Sequence, residues 1–128
     1  MYIPVLVDKR KNLDRKHTIY AQLYRHQINR AKRRHLKFSL SLEQYKDITS
    51  QNCFYCGCEP SNKYLYISNH SPNGEYLIYN GIDRADNTLG YIFENCLPCC
   101  FDCNEIKKSR NKNEFLDLIK KIYSHINQ

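Results

Sequence analysis

Two cysteine knuckles constrain this chain more than any other feature. Cys53-x-x-Cys56 and Cys100-x-x-Cys103 each place two sulfurs on one tight turn. Brought together they form a four-sulfur tetrahedron that suits Zn2+, and such a set leaves no coordination position open, so the ion would be structural. The downstream pair is ambiguous, because Cys96-x-x-Cys99 has the same spacing. The later pair is favoured because it would open a helix and turn the next residue, Asn104, inward. A chain of 128 residues builds one domain with a modest core, which a metal staple would help. Cysteine use agrees with a reducing compartment. The count of seven is odd, and "MYIPVLVDKRKN" carries its apolar patch before its charges, the reverse of a secretory signal. The protein is read as intracellular, with Cys58, Cys96 and Cys99 as small buried fillers. No run approaches the roughly 18 apolar residues that span a membrane, so no membrane partner is expected.

Charge is unevenly spread. The formal net charge is +7, yet residues 1–40 hold eleven Lys and Arg against two Asp, a local net of +9. Such a segment attracts a polyanion and releases counterions on binding, so nucleic acid is the expected partner. The alternative is a solvated helix kept soluble by its charge.

Residues 1–17 lack a helical period and read as a basic arm, with "YIPVLV" a short strand, ahead of one domain over 18–128. A helix is predicted from Thr18 to about Arg34, with Ile19, Leu23, Gln27 and Ala31 on one face and Arg25, Arg30, Lys32, Arg33 and Arg34 largely elsewhere. "LKFSL" alternates like a strand, and Ser41 with Gln44 forms a capping box opening a short helix. "KYLYIS" and "EYLIYNGI" read as strands separated by the loop signal "NHSPNG". "YIFENCLP" reads as extended, and a short helix is expected over 100–109. A last helix is capped by Asn111, with Phe115, Leu118, Ile119, Ile122 and Ile126 on its apolar face.

Two hard oxygen donors stand at notable places. Asp83 ends a strand, and Asn104 lies just inside the helix tied down by the second knuckle. Hydrated Mg2+ needs only one or two such protein ligands beside phosphate oxygens. An Asp before a turn more often caps a loop.

The segment "NGIDRADNTLGYIFENCLPCCFDCNEIKK" resembles the ββα-metal core of HNH endonucleases, in the branch with Asp-Arg in the first motif and C-x-x-C-N in the last. "INRAKRRHLKFSLSLEQYKDITSQNCFYCG" resembles what precedes that core. The resemblance implies an α+β fold, a ββα-metal HNH core stapled by a four-cysteine zinc site and flanked by α-helices. It further implies a phosphodiester hydrolase acting on DNA. By it, Asp83 and Asn104 would bind a catalytic Mg2+ or similar divalent ion, and Asn95 would hold the metal loop through backbone hydrogen bonds. Lys107 would approach the scissile phosphate, with Lys108 the lesser choice; apart from the resemblance, Lys107 reads as an exposed helix charge.

Arg84 departs from the common pattern, which has histidine there. A guanidinium stays protonated and cannot accept a proton, but it can grip a phosphate through two N–H groups. The proton then needs another acceptor. Tyr55, inside the first knuckle, is favoured, its pKa lowered by a metal ion and Arg84, although it also reads as a packed aromatic shielding the zinc. His70 and a metal-activated water without a protein base are the other choices. Arg25, Arg30, Lys32, Arg33, Arg34 and Lys37 would hold the duplex backbone. One core has one active site, so cutting both strands of double-stranded DNA points to a homodimer or two visits. Restriction, homing and phage roles all fit. The rivals are a non-catalytic zinc-stabilised DNA-binding protein, which Arg84 favours, and an RNA-directed nuclease.

Overall fold

The computed structural model describes residues 4–69 and 71–128, with side chains from Lys16 onward except at Ser71. Its first element is a long helix, α1 (Pro4–Arg33). The arm, short strand and linker expected over 1–17 are therefore replaced, from residue 4, by helix continuous with the one predicted from Thr18. Pro4 stands at the first position, where its missing N–H leaves no helical bond unmade, and no glycine interrupts the span.

A turn brings the chain to α2 (Leu42–Thr49). The capping box forms as expected: the Gln44 N–H donates to Ser41 Oγ at 3.1 Å, and the Ser41 N–H donates to Gln44 Oε1 at 2.9 Å. "LKFSL" does not become a strand. It makes one bridge, Phe38 beside Tyr91, with Tyr91 N donating to Lys37 O at 2.7 Å and Ser39 N to Tyr91 O at 3.0 Å. Gly90 permits this approach, since a Cβ there would lie 2.5 Å from the Lys37 carbonyl oxygen.

Strands β1 (Asn62–Ser68) and β2 (Ser71–Tyr79) form an antiparallel hairpin, with Leu65 opposite Tyr76 and Lys63 opposite Ile78. Period-two alternation turns Tyr64, Tyr66 and Leu77 toward the core and leaves Leu65, Ile67, Tyr76 and Ile78 exposed. "EYLIYNGI" is broken at Asn80, whose N–H donates to Thr49 O at 2.8 Å and whose Nδ2 donates to Gln51 O at 2.9 Å. These bonds to the end of α2 turn the chain into a second sheet, β3 (Gly81–Arg84) antiparallel to β4 (Cys96–Cys99). Pro98 is tolerated in β4 because a two-stranded sheet consists of edges. Helix α3 (Phe101–Lys107) follows directly, completing a ββα unit, and α4 (Lys112–Ile126) closes the chain.

The main core joins Ile19, Tyr20, Leu23 and Ala31 of α1 to Tyr45 and Ile48 of α2, Leu77 of β2, and Tyr91. A second cluster gathers Cys53, Cys99, Cys100 and Cys103. The apolar face expected of α4 is only partly used. Phe115 is buried, but Ile119, Ile122 and Ile126 are 42%, 46% and 71% exposed. Among the described residues, no helix is long and apolar enough to cross a membrane. Replacing the α2 cap by Ser41→Ala should lower stability by about 1 kcal/mol, read as a lower urea midpoint with an unchanged slope.

Candidate active site

The sulfurs of Cys53, Cys56, Cys100 and Cys103 lie within 4.8 Å of one another. The Cys56 and Cys100 sulfurs are 3.7 Å apart, close to the roughly 3.8 Å edge of a tetrahedron with about 2.3 Å metal–sulfur bonds. The set could therefore hold a metal ion. Burial works against ionising Cys53, but backbone N–H groups of Cys56, Cys100 and Tyr55 outweigh it and bring the thiol down to about 6. Cys96, by contrast, has its thiol pushed up to about 12 by burial. Cys99 is fully buried beside the cluster without belonging to the four, and Cys58 packs against it partly exposed. The pair that closes the cluster is thus Cys100 and Cys103. Cys100 is also the N-cap of α3, its sulfur accepting from Cys103 N at 3.4 Å.

Burial of Lys107 organises the centre next to this cluster. The resemblance places this lysine at the scissile phosphate. In the structure it is fully buried, with its ammonium 2.9 Å from Asp83 Oδ1. It also donates to the carbonyls of Arg84 at 3.2 Å and Arg110 at 2.5 Å. An ammonium has three donors, and all three meet protein acceptors. The lysine lining the adjacent cleft is Lys108.

The other Asp83 oxygen, Oδ2, accepts the Tyr55 hydroxyl at 2.6 Å. The Tyr55 ring packs edge-on against Phe54 and Phe115, each at 5.1 Å. Burial, then the hydrogen bond to Asp83 and that carboxylate's charge, push the Tyr55 hydroxyl well above its ordinary range. These contacts favour the protonated phenol.

Asn95 clamps the loop between β3 and β4. Its Nδ2 donates to the carbonyls of Asp86 and Gly90, both at 3.0 Å, and its Oδ1 accepts from Asp86 N at 2.8 Å. Arg84 is tied into the same loop, its Nη1 donating to Asn87 O at 2.9 Å and Leu89 O at 2.8 Å, with the guanidinium over the Tyr91 ring at 5.6 Å. Asn87 latches the loop to the α3–α4 turn through Asn111 Oδ1 at 2.8 Å and the carbonyls of Ser109 and Arg110. This latch was not legible beforehand. "RADNTLG" reads only as a polar turn, and nothing local says which distant carbonyls an asparagine will meet.

Asp83, Arg84 and Asn104 all line one cavity of about 340 Å³, together with Asn87, Glu105 and, across it, Gln27, Arg30 and Arg34 of the α1 end. Asp83 is 4% exposed at its base, while Asn104 is exposed on α3. Of the cations singled out from sequence on α1 and just after it, Arg30 and Arg34 line this cleft. Arg25, Lys32, Arg33 and Lys37 are exposed but are not among its lining residues. His70 lies outside the described residues.

Comparison with known proteins bears on the fold. A solved structure of the rare-cutting HNH restriction endonuclease PacI superposes with a TM-score of 0.57, covering 84% of this chain and 78% of that one at 19% identity. The chain has an HNH-type fold. An uncharacterised protein of Acanthamoeba polyphaga mimivirus, R423, is 30% identical over 102 residues, or 80% of this chain. The match spans only 16% of that viral protein's length. No family model matches the chain.

The buried ion pair generates a stability prediction. Lys107→Met strands the Asp83 carboxylate and should cost about 3–5 kcal/mol in urea unfolding. The double variant with Asp83→Asn should recover part of that loss, as a coupled pair requires.

Proposed function

We propose that this chain is a metal-dependent endonuclease that hydrolyses phosphodiester bonds in double-stranded DNA. One observation carries the reading: a nearly buried carboxylate forms the floor of an arginine-lined cleft, in an HNH-type fold, beside a four-thiol cluster. The four cysteines would hold a structural Zn2+. The donor chemistry of the cleft also fits a hard divalent ion such as Mg2+. A carboxylate offers about four lone-pair sites, Asp83 uses one on each oxygen for Lys107 and Tyr55, and the Asn104 amide lines the same space. Asp83 and Asn104 would hold the ion. When bound it would polarise the scissile phosphate and offset charge building on the leaving 3′ oxygen.

The chain's own groups supply the rest. Arg84 is anchored through Nη1, so its guanidinium is preorganised to stabilise charge on the phosphate as phosphorus becomes five-coordinate. Lys107 acts as a positioning residue, tying Asp83 of β3 to α3 and to the α3–α4 turn. Asn95 does the same for the loop whose carbonyls anchor Arg84. Tyr55 can take the proton of an attacking water only by handing its own along the 2.6 Å bond to Asp83, which makes the pair a relay. The cations of α1 hold the duplex backbone. An intracellular restriction, homing or phage-type role suits a compact core of this kind. Because a ββα unit carries a single centre, cutting both strands calls for a homodimer or successive visits.

A second reading is a DNA-binding protein without catalysis. It is favoured by both Asp83 oxygens already accepting protein bonds and by arginine standing where a base is common. Plasmid incubated with Mg2+, with and without EDTA, separates the two. Nicking or linearisation that EDTA abolishes is expected; intact plasmid with tight binding supports the second reading. Asp83→Asn should lower cleavage by about 100-fold or more, with thermal melting as the check on folding because it leaves the Lys107 ammonium unpaired, and Tyr55→Phe should lower it by about 100-fold. Elemental analysis should find one zinc per chain, lost in Cys103→Ser together with several degrees of melting temperature.

A further inference from the structure

The cleft has a neighbour. A second cavity of about 400 Å³ opens along α1 and is lined by His26, Asn29, Arg30 and Arg33. Arg30 lines both cavities. Helix geometry explains how one residue can do so. At about 100° per residue, Gln27 and Arg34 lie within roughly 60° on one side of Arg30, and His26, Asn29 and Arg33 within roughly 100° on the other. The first group faces the cleft and the second faces the groove. Arg25 and Lys32 lie about 140° and 160° from Arg30, beyond Asn29 and outside the lining of either cavity.

The chemistry of the groove differs from that of the cleft. Asp83 and Glu105 put carboxylates into the cleft; among the described residues no acid lines the groove, which presents two guanidinium groups, an amide and an imidazole. His26 is held in place by Tyr64 of the hairpin, ring on ring edge-on at 5.7 Å, with the Tyr64 oxygen 3.3 Å from Nδ1. Arg30, Arg33, Asn29 and His26 are all exposed. From His26 to Arg33 the groove runs about 10 Å along the helix, enough for two or three phosphates of one strand at about 3.4 Å of duplex axis each.

We infer that this groove is the path of the substrate strand next to the cut. The backbone leaves the cleft across Arg30 and lies along His26, Asn29 and Arg33, so the α1 cations divide into a track and a far face. The inference rests on the proposed nuclease reading for the word "cut", but the track itself is a statement about binding.

Binding of a fluorescent duplex in Ca2+, measured by anisotropy over a salt series, tests it. Arg30→Ala and Arg33→Ala should each weaken binding by about 3- to 10-fold and make the salt slope shallower by about one. Asn29→Ala should weaken binding without changing the slope. The double variant Arg25→Ala/Lys32→Ala removes twice the charge of either single change yet should have the smaller effect. Thermal melting controls for folding. Equal effects per charge on both faces, or no effect at Arg33, would overturn the track. If wild type binds through the track but never cuts, the nuclease reading falls and the track stands. If wild type cuts and the track variants bind unchanged, the reverse holds.

Discussion

A buried ammonium holds this site together. Lys107 meets Asp83 from β3, the Arg84 carbonyl beside it, and the Arg110 carbonyl in the turn that leads to α4. Burying a charge is costly unless its partners are complete, so the position of every element it touches is fixed by the need to satisfy three donors at once. α3 must lie against β3 at one rotation. The α3–α4 turn must fold back so that Arg110 presents its carbonyl. The Asp83 carboxylate, taken by Lys107 on one oxygen and Tyr55 on the other, cannot swing away from the cleft.

The four-thiol cluster acts on the same geometry from the other side. Cys53 and Cys56 flank Tyr55, and Cys100 caps the helix that carries Asn104 and Lys107. Closing a metal over these sulfurs would therefore fix both the phenol and the helix relative to Asp83. The loop 85–95 is held separately, by Asn95 from within and by Asn87 reaching to Ser109, Arg110 and Asn111. Two independent restraints thus converge on Asp83 and Arg84. In the proposed nuclease, this would preorganise the donors before charge develops.

Polar placement also separates rigid from adaptable cations. Arg84 is tied down at Nη1 and stacked on Tyr91, whereas Arg30 and Arg33 at the end of α1 and Arg34 in the turn after it are exposed. The first suits a fixed point in a reaction. The others suit a flexible polyanion whose contacts are mostly electrostatic and repeat along a strand.

Much of this was written locally. Knuckle spacing named the sulfur set apart from the choice of downstream pair, the capping box at Ser41 named α2, and strand alternation named the hairpin. The motif order put Asp83, Asn95 and Asn104 within one unit. These signals are short-range, so a single sequence carries them. The sequence misread what depends on distant partners. The N-terminal segment joins α1, "LKFSL" makes one bridge to Tyr91 in place of a strand, and most of the α4 apolar stripe stays exposed. Whether Lys107 faces solvent or Asp83 is set by the rotation of α3 against β3. Which α1 arginines meet the cleft is set by how that helix packs on the hairpin. Both are tertiary choices, because a helix offers every direction around its axis and only the packing against its neighbours selects one.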